Sequence, residues 1–166
     1  MGRGRTRRRG YILFHPWTMR MAMSMERKPI LLVEDNPNDI TLTRRALKKA
    51  NVANELVVLQ DGLEAVEYLT GDGSEERELP VVILLDLKLP LIDGLEVLKR
   101  IRTNPKTRKL PVIILTSSNL DEDVNASYEL GANSYVRKPV RFDDFTEAVR
   151  QLGIYWLMIN EPPHVD

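Results

Sequence analysis

Short apolar runs alternate along the chain with longer segments of mixed apolar and polar residues. The clearest run is residues 81–85, five consecutive apolar residues of which three are β-branched. Such a run is typical of a strand buried on both faces of a parallel sheet. Four further strand-like runs lie at residues 30–33, 55–60, 112–115 and 134–136.

Apolar residues in the segments after these runs recur at intervals of three or four, which is the spacing of amphipathic helices. The first segment opens with Asn36 and Pro37, a pair suited to the start of a helix. Later segments end near residues 70, 102, 130 and 159. Five strand–helix repeats predict an α/β fold with a doubly wound, five-stranded parallel sheet and helices on both faces.

Polar residues stand where four of the five predicted strands end. They are Glu34 and Asp35, Asp86, Thr116 and Lys138. The carboxyl ends of parallel strands lie along one edge of a sheet, where open α/β sheets bind their ligands. A single strand-ending Asp more often only caps a turn. The occurrence at four strand ends therefore predicts a functional site with carboxylates, a hydroxyl and an ammonium.

Composition narrows the possible chemistry. The 166 residues include no Cys, which excludes disulfides, thiolate zinc sites and a cysteine nucleophile. Residues 1–28 carry eight Lys or Arg and one Glu, a charge of +7, so the remaining sixteen basic and twenty-three acidic residues give −7. An acidic folded part makes nucleic acid an unexpected partner. No apolar stretch is long enough to predict a membrane span.

The chain is predicted to hold one domain between two short terminal segments. Residues 1–28 contain an Arg- and Gly-rich run and are expected to be a basic, disordered extension. Residues 29–160 are expected to form the domain, and residues 161–166 a short tail. The apolar run at residues 11–14 is too short for a signal peptide, and a cytoplasmic location is expected.

The polar residues at the strand ends resemble a known pattern. Glu34-Asp35, Asp86, Thr116 and Lys138-Pro139, in this order and each after its own strand, resemble the receiver domain of two-component response regulators. The resemblance covers about residues 29–159 and implies the flavodoxin-like, CheY-like fold with strand order 2-1-3-4-5. It implies a stand-alone response regulator that takes a phosphoryl group from a histidine kinase. Such a protein is a phosphoacceptor that assists its own phosphorylation and dephosphorylation, and it is not a conventional enzyme.

The resemblance assigns a metal site as well as the phosphoacceptor. Asp86 would accept the phosphoryl group, Glu34 and Asp35 would be the acidic pair that holds Mg²⁺, and Lys88 would lend its backbone carbonyl to the metal. Mg²⁺ is a hard cation that binds carboxylates and phosphate oxygens, which agrees with these residue types. Glu34 stands where many receivers have Asp, and its extra methylene favours binding through a water.

The remaining implied roles concern the phosphoryl group and the switch. Lys138 would bind a phosphoryl oxygen, and Thr116 would be the switch hydroxyl. Tyr135 would be the aromatic residue that changes rotamer. Lys88 and Ser118 occupy positions that tune the lifetime of the phosphoryl group. The peptide bond before Pro139 is expected to be cis, as is usual in the family.

The end of the last predicted helix suggests a surface for partners. Residues 154–159 are apolar almost all round and cannot all be buried on one face, so a dimer or partner surface with Tyr155 and Trp156 as anchors is expected. No output domain is recognisable after residue 159, so the signal is expected to leave through the domain surface. Residues 155–163 also resemble the single-domain regulators that partner bacterial phytochromes, which implies a phytochrome as the cognate kinase.

Other readings of the strand-ending Asp fit less well. A haloacid-dehalogenase phosphatase would need a second Asp two residues after Asp86, where Lys88 stands. A flavodoxin-like binding protein would need a loop rich in Gly and hydroxyls after the first strand, where Glu34 and Asp35 stand instead. A receiver-like protein that binds partners without phosphorylation, or a phosphorelay intermediate, remains open.

Overall fold

The computed structural model describes residues 28–71 and 77–163. The strands are β1 (Ile30–Val33), β2 (Leu56–Leu59), β3 (Val82–Leu85), β4 (Val112–Thr116) and β5 (Ser134–Arg137). The helices are α1 (Pro37–Lys49), α2 (Gly62–Thr70), α3 (Gly94–Thr103), α4 (Asp121–Glu129) and α5 (Phe142–Ile154). Nearly all of the predicted basic extension lies outside the described residues.

The five strands form one parallel sheet in the order β2-β1-β3-β4-β5. This confirms the predicted doubly wound fold and its strand order. The register aligns Val33 with Leu59 on one side and with Leu85 on the other. Because β1 and β3 end at the same level, the residues that follow them lie side by side at one edge of the sheet.

The two faces of the sheet bury separate apolar clusters. Leu31 and Ile83 face a cluster completed by α2 and α3, whereas Leu32 and Leu84 face one completed by α1 and α5. Side chains alternate between the two faces of a strand, which explains why the central strands are apolar at every position. No helix in the described part of the chain is both long and apolar enough to span a membrane.

The end of α5 differs from the predicted continuous helix. The α-helix ends at Ile154 and continues as a π-helical turn, Tyr155–Ile159. Phe142, at the start of this helix, is half exposed, whereas Phe145 and Val149 are buried.

Candidate functional site

Three carboxylates meet where β1 and β3 end. The backbone N–H of Asp86 donates to the Val33 carbonyl at 3.1 Å, which extends the pairing of the two strands by one residue. Glu34, Asp35 and Asp86 each offer a carboxylate oxygen, and these three atoms lie within 4.8 Å of one another. Glu34 and Asp86 are buried, whereas Asp35 is exposed. The sheet thus brings together the acidic residues that the sequence pattern singled out.

Lys138 brings a cation to these carboxylates from the end of β5. Its Nζ lies 2.5 Å from Glu34 Oε2, 2.9 Å from Asp39 Oδ2 and 3.1 Å from Asp86 Oδ2. Only 7% of the Lys138 side chain is exposed. An ammonium group has three N–H donors, and each of them has a carboxylate acceptor here. The Lys138 backbone N–H donates to the Thr116 carbonyl at 2.8 Å, which fixes this segment against β4.

Burial and neighbouring charges act in opposite directions on the pKa of each partner, Glu34 and Lys138. Burial raises the pKa of the Glu34 carboxyl to about 7, although the hydrogen bond from Lys138 acts to lower it. Burial alone would lower the pKa of the Lys138 ammonium, but its hydrogen bonds to Glu34 and Asp39 and the charge of Asp86 outweigh burial and raise it. Lys138 therefore stays cationic, while the Glu34 carboxyl takes up a proton more readily than an ordinary Glu.

The donor set fits a hard divalent cation. Three carboxylate oxygens within reach of one another are the ligands that Mg²⁺ prefers. Both oxygens of Glu34 already have partners, since Oε1 accepts from the Asn36 N–H at 3.0 Å and Oε2 accepts from Lys138. Both oxygens of Asp86 have partners as well, since Oδ1 accepts from the Lys88 N–H at 3.2 Å and Oδ2 accepts from Lys138 at 3.1 Å, so a metal ion would share both buried carboxylates with these donors.

A tightly packed loop holds Asp86 in place between β3 and α3. The Lys88 N–H donates to Asp86 Oδ1 at 3.2 Å, and the Gly94 N–H donates to the Leu87 carbonyl at 2.9 Å. A Cβ on Gly94 would lie 2.2 Å from the Asp86 carbonyl oxygen, so only glycine fits here. The Lys88 side chain is exposed.

The predicted switch residues form a connected group on the other side of the site. Thr116 is fully buried, and its Oγ1 accepts from the Ser118 N–H at 3.4 Å. The Ser118 hydroxyl donates a hydrogen bond to Asp123 in α4. The Ser118 backbone carbonyl accepts a hydrogen bond from the Tyr135 hydroxyl at 3.3 Å. Tyr135 is partly buried. This group connects the end of β4 with α4 and β5.

One expectation about the peptide bonds was wrong, and the exposure of one expected partner residue is lower than its role suggested. The peptide bond between Lys138 and Pro139 is trans. Trp156 is only partly exposed, because it packs against the apolar cluster under α1 and α5, whereas Tyr155 is half exposed, and their role as partner anchors stays a prediction. Val149, Leu152 and Trp156 are spaced by three and four residues and therefore face the core together, which turns Tyr155 outward.

Asp39 is the site residue that the sequence reasoning missed. It lies in the first turn of α1, where an acidic residue ordinarily interacts with the helix dipole. Its contact with Lys138 joins residues 99 positions apart in the chain. Nothing local in the sequence distinguishes it from other first-turn acids such as Glu64 and Glu96.

Comparison with known proteins identifies the family. Residues 30–150 match the sequence model of the response regulator receiver domain. The chain belongs to this family. The match covers all five strands and most of α5. Family membership places the chain among the response regulators of two-component signalling and not in a conventional enzyme family. The fold is the CheY-like flavodoxin fold.

Several similar proteins are phytochrome response regulators. Response regulator Rcp1 from Synechocystis sp. is 43% identical over 131 residues, which are 78% of this chain and 89% of the relative. The structure of its Mn²⁺-bound form superposes with a TM-score of 0.77 at 41% identity, covering 82% of this chain and 99% of that one. The phosphorylated cyanobacterial phytochrome response regulator RcpA gives a TM-score of 0.79 at 37% identity, covering 83% and 99%. The bacteriophytochrome response regulator RtBRR is 50% identical, with a TM-score of 0.65 and coverage of 82% and 84%.

Proposed function

We propose that this chain is a stand-alone response regulator that accepts a phosphoryl group on Asp86 from a histidine kinase and signals through its own surface. The observation that carries the proposal is the cluster of Glu34, Asp35 and Asp86 with the Lys138 ammonium at one edge of the sheet. A carboxylate nucleophile beside a fixed cation is what transfer of a phosphoryl group to Asp requires. The coverage of Rcp1 and RcpA over most of their length supports a regulator of similar extent.

The chain supplies the nucleophile and part of the charge compensation. An Asp86 oxygen forms the new bond to phosphorus, while the bond from phosphorus to the kinase histidine breaks and the imidazole keeps its electron pair. Lys138 neutralises one phosphoryl oxygen, and the Thr116 hydroxyl donates a hydrogen bond to it. A Mg²⁺ ion held by Asp35, Asp86, the Lys88 carbonyl and, through a water, Glu34 would neutralise further phosphoryl charge.

Phosphorylation would reach the surface through the group around Thr116. A Thr116 hydroxyl drawn to the phosphoryl group gives up its bond from the Ser118 N–H. Tyr135 then leaves the Ser118 carbonyl and turns inward into the space that Thr116 vacates. We place the resulting change at the surface of α4, β5 and α5, because Ser118 bonds Asp123 in α4 and Tyr135 lies in β5.

The partners proposed are a phytochrome kinase and a second copy of this chain, in the cytoplasm. The kinase follows from the similarity to RcpA, a cyanobacterial phytochrome response regulator, and to RtBRR, a bacteriophytochrome response regulator. Self-association is placed at three exposed residues of the π-helical turn, Tyr155, Met158 and Ile159, which we call the C-terminal patch. Nucleic acid and membranes are not proposed as partners.

Phosphorylation by a small donor tests the proposal. Acetyl phosphate with Mg²⁺ should add one phosphoryl group to the wild type, and none to Asp86→Asn or in the presence of a chelator. Asp121→Asn makes the same change at an exposed position and should react normally. Asp35→Ala should abolish the dependence of phosphorylation on Mg²⁺, while Glu34→Ala should only weaken this dependence. Intact-mass spectrometry measures the phosphoryl group on all five proteins and on the wild type with chelator.

Equal modification of wild type and Asp86→Asn would reject Asp86 as the acceptor. A wild type that takes up no phosphoryl group, even from its kinase, would favour a receiver-like protein that only binds partners. Transfer from Asp86 onward to a second histidine-containing protein would favour a phosphorelay intermediate.

A further inference from the structure

Asp39 contacts Lys138 and has none of the roles assigned above. Its Oδ2 accepts a hydrogen bond from Lys138 Nζ at 2.9 Å. The Asp39 side chain is 25% exposed, so this carboxylate closes the solvent side of an ammonium group that is otherwise buried. Its length lies between those of the contacts that Lys138 makes with Glu34, 2.5 Å, and with Asp86, 3.1 Å.

The start of α1 holds the Asp39 carboxylate in a fixed position. The Asn36 side chain caps the helix by accepting from the N–H groups of Asn38 at 2.9 Å and Asp39 at 3.4 Å. An Asp side chain has only two rotatable bonds, so a fixed backbone leaves its oxygens little freedom. Residues held by local structure in this way position their partners more accurately than residues on free loops.

Asp39 differs from the other two acceptors of Lys138 in what else it must bind. Glu34 and Asp86 belong to the group of three carboxylates that could hold a metal ion, and Asp39 does not. When Asp86 carries a phosphoryl group and Glu34 interacts with a metal ion, Asp39 is the carboxylate that can still accept a hydrogen bond from Lys138. We infer that Asp39 is a positioning residue that keeps the Lys138 ammonium at the phosphoryl site. This inference rests on the proposed phosphorylation of Asp86.

If Asp39 acted only through its negative charge, its removal would raise the phosphorylation rate, whereas removal of a positioning residue would lower it. Asp39 adds a fourth carboxylate to a site that must admit an anionic phosphodonor, and removing a like charge would speed the reaction. Removing a positioning residue would slow it, because Lys138 would lose a charge-assisted hydrogen bond. The direction of the change therefore separates the two roles.

The experiment compares Asp39→Ala, Asp39→Asn and the control Asp121→Ala, which removes an exposed carboxylate that starts α4. Phosphorylation is followed at varied acetyl phosphate and saturating Mg²⁺, and beryllofluoride binding is titrated. We expect the maximal rate and the beryllofluoride affinity of Asp39→Ala to fall about tenfold. Asp39→Asn keeps an oxygen acceptor and should recover part of the loss. Asp121→Ala should stay within about twofold of wild type.

Two further measurements separate positioning from damage to the fold or metal site. The Mg²⁺ affinity of Asp39→Ala should be close to wild type, because Asp39 is not among the metal-site carboxylates. The Lys138 ammonium signal in an NMR spectrum should be visible in the Mg²⁺-bound wild type and lost in Asp39→Ala, because one N–H then faces water. If the Asp39 contact only stabilised the fold, its loss would change this signal only together with a lower melting temperature.

Unchanged or faster phosphorylation of Asp39→Ala, with unchanged beryllofluoride affinity, would overturn the inference. If Asp39→Ala does not fold, the comparison rests on Asp39→Asn, whose rate must fall for the inference to stand. If wild type takes up no phosphoryl group, the proposed function fails. The Lys138 signal then decides whether Asp39 holds the lysine, and its survival in Asp39→Ala would reject that role.

Discussion

Glu34 is a buried carboxyl group whose charge is only partly compensated. It is 2% exposed, and the cation beside it, Lys138, is shared with Asp39 and Asp86. Burial therefore outweighs the ion pair and raises the pKa of Glu34 to about 7. The folded chain without metal thus binds a proton here more tightly than the unfolded chain, whose Glu titrates near 4.5.

The raised pKa predicts that the metal-free protein loses stability as the pH rises. The contribution of Glu34 is fully present below about pH 4.5 and is lost as the pH passes 7, because the folded state binds more protons in this window. The loss amounts to as much as about 3 kcal/mol, since one pKa unit corresponds to about 1.4 kcal/mol. Glu34→Gln should flatten the profile and be more stable than wild type at pH 8.

Urea unfolding in a chelator between pH 5 and pH 8 measures this effect. Glu67→Gln makes the same change on the exposed face of α2 and should keep the wild-type pH dependence. A Glu34→Gln profile parallel to that of wild type would mean that another group controls the pH dependence. Saturating Mg²⁺ should stabilise the wild type at pH 8, because ligands that bind only the folded state shift the equilibrium towards it.

At the scale of elements, the loop from β3 to α3 sets the position of Asp86. Asp93 caps α3 by accepting from the Glu96 N–H at 2.9 Å, and Gly94 follows it against the Asp86 backbone. The same loop holds Leu91 at a φ of 67°, a left-handed conformation that is unusual for a residue with a side chain. The helix start and the strand end are thus locked together, so a change at Gly94 reaches the phosphoacceptor directly.

Gly94→Ala is predicted to destabilise the fold and to impair phosphorylation. The new Cβ would lie 2.2 Å from the Asp86 carbonyl oxygen and 2.6 Å from the Leu87 Cα, and backbone atoms cannot move aside as side chains can. We expect a loss of at least about 2 kcal/mol of unfolding free energy and a much slower reaction with acetyl phosphate.

Gly153→Ala is the matched control for this prediction. Its Cβ would make ordinary contacts with side-chain atoms of Val52 and Leu47 at 3.4 and 3.7 Å, in a helix that alanine favours by about 1 kcal/mol. It should be as stable as wild type or more stable. Denaturant unfolding of both variants measures their stabilities. Equal stability of the two would show that the loop around Gly94 can relax around a methyl group.

The sequence predicted some elements well and others poorly for physical reasons. Strands buried on both faces leave continuous apolar runs, so β1, β3 and β4 and the convergence of Glu34, Asp35 and Asp86 could be predicted. Asp39 could not, because its partner Lys138 is distant in the chain. The orientation of Trp156 could not either, because a run that is apolar at every position has no periodicity to show which residue faces inward.

At the scale of the whole molecule, the C-terminal patch brings three exposed large apolar residues together in one turn. Met158 is 73% exposed and Ile159 64% exposed, with Tyr155 beside them, while Trp156 anchors the turn to the core. Tyr155 and Trp156 stack edge to face with ring centroids 5.2 Å apart. The partly buried Trp156 thus supports the exposed residues, and substituting it should harm the fold before it harms any contact with a partner.

The C-terminal patch is predicted to hold a dimer that tightens on phosphorylation. Met158→Glu should give a folded monomer that still accepts phosphate, because it places a charge in the apolar contact without touching the core. Leu63→Glu, a control at an exposed apolar position on α2, should stay dimeric. Mg²⁺ with beryllofluoride should strengthen the wild-type dimer, since a Tyr135 rotamer change that alters the α4–β5–α5 surface can shift affinity roughly 5- to 150-fold. Sedimentation velocity with and without beryllofluoride measures each species, and a dimeric Met158→Glu, or a wild type that is monomeric in both states, would remove the patch from the dimer contact.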